Sequence, residues 1–483
     1  MCIKIMKWVN LLSNYRKRKL NTDTNLITKN EMIREFCRRA ENEQAAFFIG
    51  AGISVPYGLP DFEGLVRKNM KGIIDYEGEI YDCPEMMQYI LNKSGDRESF
   101  YADIKSNFNL KYDEINRSTN TEIGYLKSIV QSTISTIWTT NFDDLIEQAL
   151  KRQDIEFSVK NCEKSFRDNF EEKNVIEVLK IHGDINSENI VLTKADYDDF
   201  DVNNKLAIKR LENDMLSKSI MFIGYSYNDP NIKNIVNSIR QILKDDTKKI
   251  NHYLLMKEKK NKDEIVLQQL WIEDLKRYGI KTYLLNDYEE LKEILSIIKL
   301  KSRGNRIFIT GSHNKEESDI ANELGVKLAN LNIKVNYGQS EGIGKIVCSA
   351  YAKELVKNKK TLADRLFVYT NPYAFCNDWD DDDKILEFLK ELRKDMIRNT
   401  QVLIAFPGGK GTLTEIDLAV REGCIVIPIF MKNSDFISKV TEKWPDIIDK
   451  LAEIDANFVD KLMNNKCYVE DIINFLKGIF GDV

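Results

Sequence analysis

Histidine is scarce in this 483-residue chain, with three copies, and its eight cysteines include no C-x-x-C pair. Cys2, Cys37, Cys83, Cys162, Cys348, Cys376, Cys424 and Cys467 are scattered, which excludes a zinc ribbon built from two close thiolate pairs. Cys37, Cys348 and Cys424 fall in apolar patterns and read as small core residues in a reducing, cytoplasmic setting. No uninterrupted apolar stretch approaches the roughly 20 residues needed to cross a bilayer, so a soluble protein is predicted. A formal charge of −5 leaves no basic footprint for nucleic acid. No metal is expected.

What is present is an ordinary globular balance, 43% hydrophobic and 30% charged, in a chain long enough for two cores. Residues 1–30 mix Ile3, Ile5, Met6, Trp8 and Val9 with Lys4, Lys7 and a basic run from Arg16 to Lys19. They lack the unbroken apolar core and cleavage site of a signal peptide and read as an amphipathic extension used in assembly. A homo-oligomer, tetramer or filament, is expected.

From residue 31 a helical spacing of Ile33, Phe36, Cys37 and Ala40 leads into the apolar run 45–49 and then Gly50-Ala-Gly52. Further short apolar strands are predicted at 134–138, 175–181, 219–223, 252–256 and 281–285, with helical patterns between them. Asp229 and Pro230 mark a helix start ahead of the stripe Ile232, Ile235, Val236, Ile239 and Leu243. The polar stretch 299–305 reads as a boundary, after which strands near 306–310, 333–337, 365–369, 402–406 and 425–430 start a second series. The fold class is α/β, with two doubly wound Rossmann-like domains at 31–300 and 304–483.

Phe48-Ile-Gly-Ala-Gly-Ile-Ser54 places small residues at a strand end, where backbone amides can approach a pyrophosphate and a helix N-terminus can offset its charge. Four more pieces follow in order: Gly58-Leu-Pro-Asp-Phe-Glu63, Thr139-Thr-Asn-Phe-Asp143, Ile181-His-Gly-Asp184 and Gly224-Tyr-Ser226. All four lie at the carboxyl ends of predicted strands, the first of them after the glycine turn, at the edge where open α/β sheets bind ligands. Asn141, Asp143 and Asp144 also suit a plain helix cap, and His182 a core position.

Together these motifs resemble the sirtuin (SIR2) family over residues 31–298. That resemblance implies NAD as substrate, with phosphate and ribose contacts at Gly50, Ala51, Gly52, Ser54, Gly224 and Ser226. Asp61 of the G-x-P-D-F loop joins them, and Asn141, Asp143 and His182 surround the nicotinamide ribose, with Asp143 on the leaving carboxamide. The zinc ribbon of deacetylase sirtuins is missing, and residues 63–131 read instead as a helical insertion. Water is then the expected acceptor, Asn141 orienting it and His182 handling its proton.

In the second half Thr310-Gly-Ser312, the stretch 338–344 and Pro407-Gly-Gly-Lys-Gly-Thr412 put small residues at strand ends, and Thr412-Leu-Thr-Glu415 opens a helix. With Arg393-Lys394 upstream, these residues look like the SLOG superfamily, whose LOG-type members carry P-G-G-x-G-T-x-x-E. By that likeness Gly311, Ser312, Arg393, Lys410, Thr412 and Glu415 line a phosphate-rich ligand. The acidic run from Asp378 to Asp383 reads as helix N-terminal acids.

A SIR2-like domain followed by a SLOG domain is similar to the NAD-depleting effectors of the Thoeris antiphage system. The likeness implies NAD hydrolysis gated by a cyclic ADP-ribose-type signal from a TIR-domain partner, bound at the second domain. A LOG-type nucleotide phosphoribohydrolase using Arg393 and Glu415, and a non-catalytic nucleotide-binding scaffold, are the alternatives. Cyclisation or ADP-ribosyl transfer in place of hydrolysis stays open from sequence.

Overall fold

The computed structural model describes residues 26–108, 124–167, 175–186, 190–225, 229–243, 250–312, 317–371, 382–429, 436–464 and 466–481. Most of the amphipathic extension, Ser226 and the acids at 378, 380 and 381 lie outside them. Asp382 and Asp383 open the helix Asp382–Arg398. The chain divides into two compact units, one holding Met1–Arg39, Gln44–Ile123 and Ser135–Ile294, the other Ala40–Glu43, Gly124–Ile134 and Leu295–Val483.

The first unit contains a seven-stranded sheet. Its strands are β1 (Ala45–Ile49), β2 (Thr136–Thr139), β3 (Phe157–Lys160), β4 (Ile176–Lys180), β5 (Ser219–Ile223), β6 (His252–Lys257) and β7 (Ile280–Leu285). They run in the order β3-β4-β2-β1-β5-β6-β7, and every pairing is parallel. All five residues of β1 are buried, as expected of a strand covered on both faces. Phe48 and Phe222 pack with ring centroids 5.0 Å apart, and burying each such ring contributes about 2 kcal/mol. From β1 the chain proceeds to one side through β2 and to the other through β5, so the switch point where ligands bind lies at β1 and β5.

β3 is a strand that the periodicity does not predict. Three of its four residues are half-exposed, and an edge strand this short carries too few buried side chains to leave an apolar run. The expected insertion is helical in its described parts, Phe62–Met70, Cys83–Ser94, Arg97–Ser106 and Gly124–Val130. The first three share a core with Phe142, Ile185, Ile190 and Leu192, so the insertion's apolar side rests on the loops that carry the expected site.

His252 opens β6 at 3% exposure, and its Nδ1 accepts the Ile220 amide proton at 3.2 Å. Burial, with a smaller contribution from Arg39, pushes this imidazole down from 6.5 to about 4. Below pH 6.5 the unfolded chain takes up a proton that the folded one refuses, so stability present at neutral pH is lost as pH falls toward 4. The loss attributable to His252 is about 3 kcal/mol. In His252→Asn, which keeps an acceptor for Ile220, thermal midpoints between roughly pH 6.5 and 4 should fall less steeply. Parallel slopes would rule the assignment out.

The second unit holds β8 (Arg306–Thr310), β9 (Lys334–Tyr337), β10 (Leu366–Val368), β11 (Val402–Ala405) and β12 (Ile425–Pro428). They form a parallel sheet in the order β10-β9-β8-β11-β12. Both sheets match the α/β, doubly wound reading. Cys37, Cys348 and Cys424 are buried thiols outside any disulfide, as their apolar surroundings predict.

Arg303 departs from its setting in a polar stretch, because it is 2% exposed. Its guanidinium donates to the carbonyls of Thr400 (3.0 Å), Glu422 (2.9 Å) and Gln131 (3.4 Å) and to Cys424 Sγ (3.3 Å). All three carbonyls follow helix ends, where backbone acceptors lack intrahelical partners and the dipole is negative.

Candidate active site

Gly50, Thr139, Lys180 and Ile223 end or directly follow four neighbouring parallel strands, β1, β2, β4 and β5, so the motifs converge on one sheet edge. Gly50 donates to Ile223 O and Gly52 to Gly224 O, each at 2.9 Å. A Cβ on Gly50 would stand 2.5 Å from Gly224 O and 2.6 Å from Tyr225 Cα. Gly224 has φ +63°, where L side chains are strained. These glycines therefore let two backbones cross in contact at the switch point.

The glycine turn does not open a long helix. It enters two 3-10 turns, Ala51–Ile53 and Val55–Tyr57, the second started by Pro56 and ended by Gly58 in the left-handed region. No α-helix N-terminus therefore follows the glycine turn directly. The next α-helix begins at Phe62, and Asp61 caps it by accepting from Gly64 N at 2.8 Å.

Asn141 follows β2 and is buried. Its Nδ2 donates to Ser54 Oγ at 3.0 Å and Gly50 O at 3.3 Å, and Ser54 Oγ donates to Asp143 Oδ2 at 2.8 Å. This network fixes the amide with Oδ1 at its other end, and Oδ1 has no hydrogen-bond partner among the described residues. Asp143 is occupied at both oxygens, because Oδ1 accepts from Leu145 N at 3.2 Å. It thereby holds Ser54 and the first amide of the helix Leu145–Arg152.

His182 stands two residues beyond β4, ahead of Gly183 at φ +81°. The residue is 2% exposed, and its ring packs edge-on against Tyr197 and Phe200, with centroids 5.5 and 5.6 Å away. Burial pushes its pKa below the ordinary imidazole value, so it is uncharged at neutral pH and able to accept a proton.

Beneath both loops lies a fully buried ammonium. Lys180 Nζ donates to Asp143 O at 2.6 Å and Glu147 Oε1 at 2.9 Å, and it also pairs with Asp184. Desolvation opposes its charge, yet the two carboxylates hold its pKa above the usual lysine value. One side chain thereby ties the loop carrying Asn141 to the loop carrying His182.

At the C-terminal ends of β8 and β11 a second cradle forms. Gly311 has φ +145°, Ser312 N donates to Pro407 O at 3.0 Å, and a Cβ on Gly408 would collide with Thr412 Oγ1. Glu415 accepts from the Thr310 hydroxyl and from Arg393 Nε at 3.2 Å; burial raises its pKa. The structure thus gathers Gly311, Ser312, Arg393, Thr412 and Glu415, with Lys410 exposed at the first turn of the helix Lys410–Arg421. Arg393 is part of an ion pair before any ligand arrives.

A family model described as a SIR2-like domain matches residues 135–282, and one described as the Sir2- and TIR-associating SLOG family matches residues 290–481. The chain joins a SIR2-like domain to a SLOG domain. It is 28% identical over 477 residues to "NAD(+) hydrolase ThsA" of Bacillus cereus (strain MSX-D12), covering 92% of this chain and 96% of that protein. A protein of the same name from Cytobacillus dafuensis is 29% identical, covering 83% and 85%. Another from Enterococcus faecium is 26% identical, covering 94% and 100%.

The SIR2-like match takes in Asn141, His182 and Gly224, while the Gly50 turn precedes it. Within this domain the residues that sequence reasoning missed are Lys180, Glu147 and Tyr197. The sequence pattern around Asp229 points to a helix cap alone. A lysine interrupting the apolar run before His182 was the available signal for the first. No helix among the described residues is long and apolar enough to cross a membrane.

Proposed function

We propose that the SIR2-like domain hydrolyses NAD to ADP-ribose and nicotinamide, and that a nucleotide held by the SLOG domain sets its rate. The observation that carries the reading is the fixed, unpartnered Oδ1 of Asn141 next to the strand that presents a buried, uncharged imidazole. In this chemistry the ribose C1′–nitrogen bond breaks with its electron pair leaving on nicotinamide, and positive charge builds at C1′. Asn141 Oδ1 accepts from a water whose oxygen bonds C1′, and His182 takes the released proton. The Gly50–Gly224 crossing lies at the carboxyl edge of the sheet, where open α/β folds bind the phosphates of a dinucleotide.

The relatives named NAD(+) hydrolase support the reaction. The family description "Sir2- and TIR-associating" supports a signal made by a TIR-domain partner, and a cyclic ADP-ribose-type ligand fits a cradle of small residues with Arg393 and Lys410 at its edge. Such an enzyme acts in antiphage defence by depleting NAD in the cytoplasm, and assembles as a homo-oligomer.

The test is nicotinamide release by the full chain, with and without a panel of cyclic ADP-ribose isomers. One isomer should stimulate release, and His182→Ala should lower it about 100-fold or more. Release of a free base from nucleoside monophosphates, with NAD untouched, would instead place the chemistry at Arg393 and Glu415.

A further inference from the structure

Asp229 precedes the helix Pro230–Leu243 and divides its two oxygens between two tasks. Oδ1 accepts from the amides of Asn231 (2.9 Å) and Ile232 (3.1 Å), which completes an N-cap. A cap needs only that oxygen. Oδ2 points the other way, where it accepts the Tyr197 hydroxyl proton at 3.0 Å and stands 3.5 Å from His182 Nε2. Both side chains are buried, at 3% exposure for His182 and 10% for Asp229. The titratable groups facing the imidazole are Asp229 from this helix and Tyr197 from the helix Lys194–Asp198, while Phe200 closes a third side with an apolar ring.

We infer that Asp229 is a positioning residue for His182, holding its imidazole with Nε2–H turned to the carboxylate and stabilising the imidazolium that forms when Nδ1 takes the proton from water. Tyr197 keeps Oδ2 aimed at the ring. The inference rests on the hydrolase reading for its role in turnover, though not for the geometry. In the step, the water O–H bond breaks, its oxygen bonds C1′, and the proton goes to Nδ1 while Nε2–H closes on Asp229 Oδ2. The imidazolium later returns a proton to solvent.

The 3.5 Å separation is just beyond a hydrogen bond to a neutral ring, and a positive ring would shorten it. Burial lowers the imidazole pKa and Asp229 alone among charged groups pulls it back up. This is the balance expected of a base that must be uncharged at rest and charged in the transition state.

Asp229→Asn separates the two tasks, because the amide oxygen can still cap the helix while the negative charge is gone. With saturating NAD and the full chain, kcat should fall by about tenfold or more with KM nearly unchanged, and the acidic limb of the kcat profile should move to lower pH. Thermal midpoint should change little. Tyr197→Phe should give a smaller change in the same direction.

A second readout does not depend on activity. With three histidines in the chain, the imidazole nitrogens are assignable by nitrogen-15 NMR through single substitutions. His182 should populate the Nε2–H tautomer, and Asp229→Asn should shift it toward Nδ1–H. Unchanged tautomer populations with an unchanged acidic limb would reduce Asp229 to a cap. If the unaltered chain releases no nicotinamide, the hydrolase reading falls while the tautomer measurement still decides the pairing.

Discussion

Exchange of Lys180 for methionine is expected to destabilise the SIR2-like domain by about 3–5 kcal/mol, because it leaves buried carboxylates without their compensating cation. The ammonium has no exposed side-chain surface, and Glu147 and Asp184 are 8% and 10% exposed. Methionine fills a similar volume yet removes the cation from Glu147 Oε1 and Asp184 Oδ2 and the donor from Asp143 O. For a unit of this size the thermal midpoint should drop by about 10 °C. The gap between parent and variant should narrow in acid, since protonated carboxylates no longer need the cation. A midpoint within a degree or two of the parent would mean that water replaces Lys180 at no cost.

Arg303→Met should have a comparable effect on the other unit, about 3 kcal/mol or more, given that hydrogen bonds to a charged group contribute about 1.5–3 kcal/mol each. Its three carbonyl acceptors lie at helix ends, so the loss is of backbone satisfaction and not of packing alone. Nearby Lys299 reports on the change independently. Burial, the Arg303 charge and Lys127 hold it down at about 8, and removing the guanidinium should let it rise. A Lys299 titration that does not move, together with an unchanged midpoint, would show that Arg303 is not the organising cation.

The strands were legible because a parallel sheet covered on both faces must be written in short apolar runs such as Ala-Ala-Phe-Phe-Ile at β1. Glycine turns were legible too, since only glycine tolerates the contact between Gly50 and Gly224. What stayed hidden is non-local. Nothing in the order of residues says that Lys180 meets Glu147, or that Tyr197 and Asp229 converge on His182 from separate helices. Arg303 misled for a related reason: a guanidinium in a polar run reads as solvated unless the carbonyls that receive it are known. The Asp143 motif likewise says nothing of the hydrogen bonds that its oxygens accept from Ser54 and Leu145.

The way the chain threads its two units constrains how either half can be isolated. It passes from one unit to the other at residues 40, 44, 124, 135 and 295. A fragment starting at residue 304 would leave behind Ala40–Glu43, Gly124–Ile134 and the Arg303 that holds Gln131. Cutting the gene at its most linker-like stretch therefore yields neither half intact, and a stand-alone ligand-binding module would have to be rebuilt by circular permutation or by co-expressing complementary pieces.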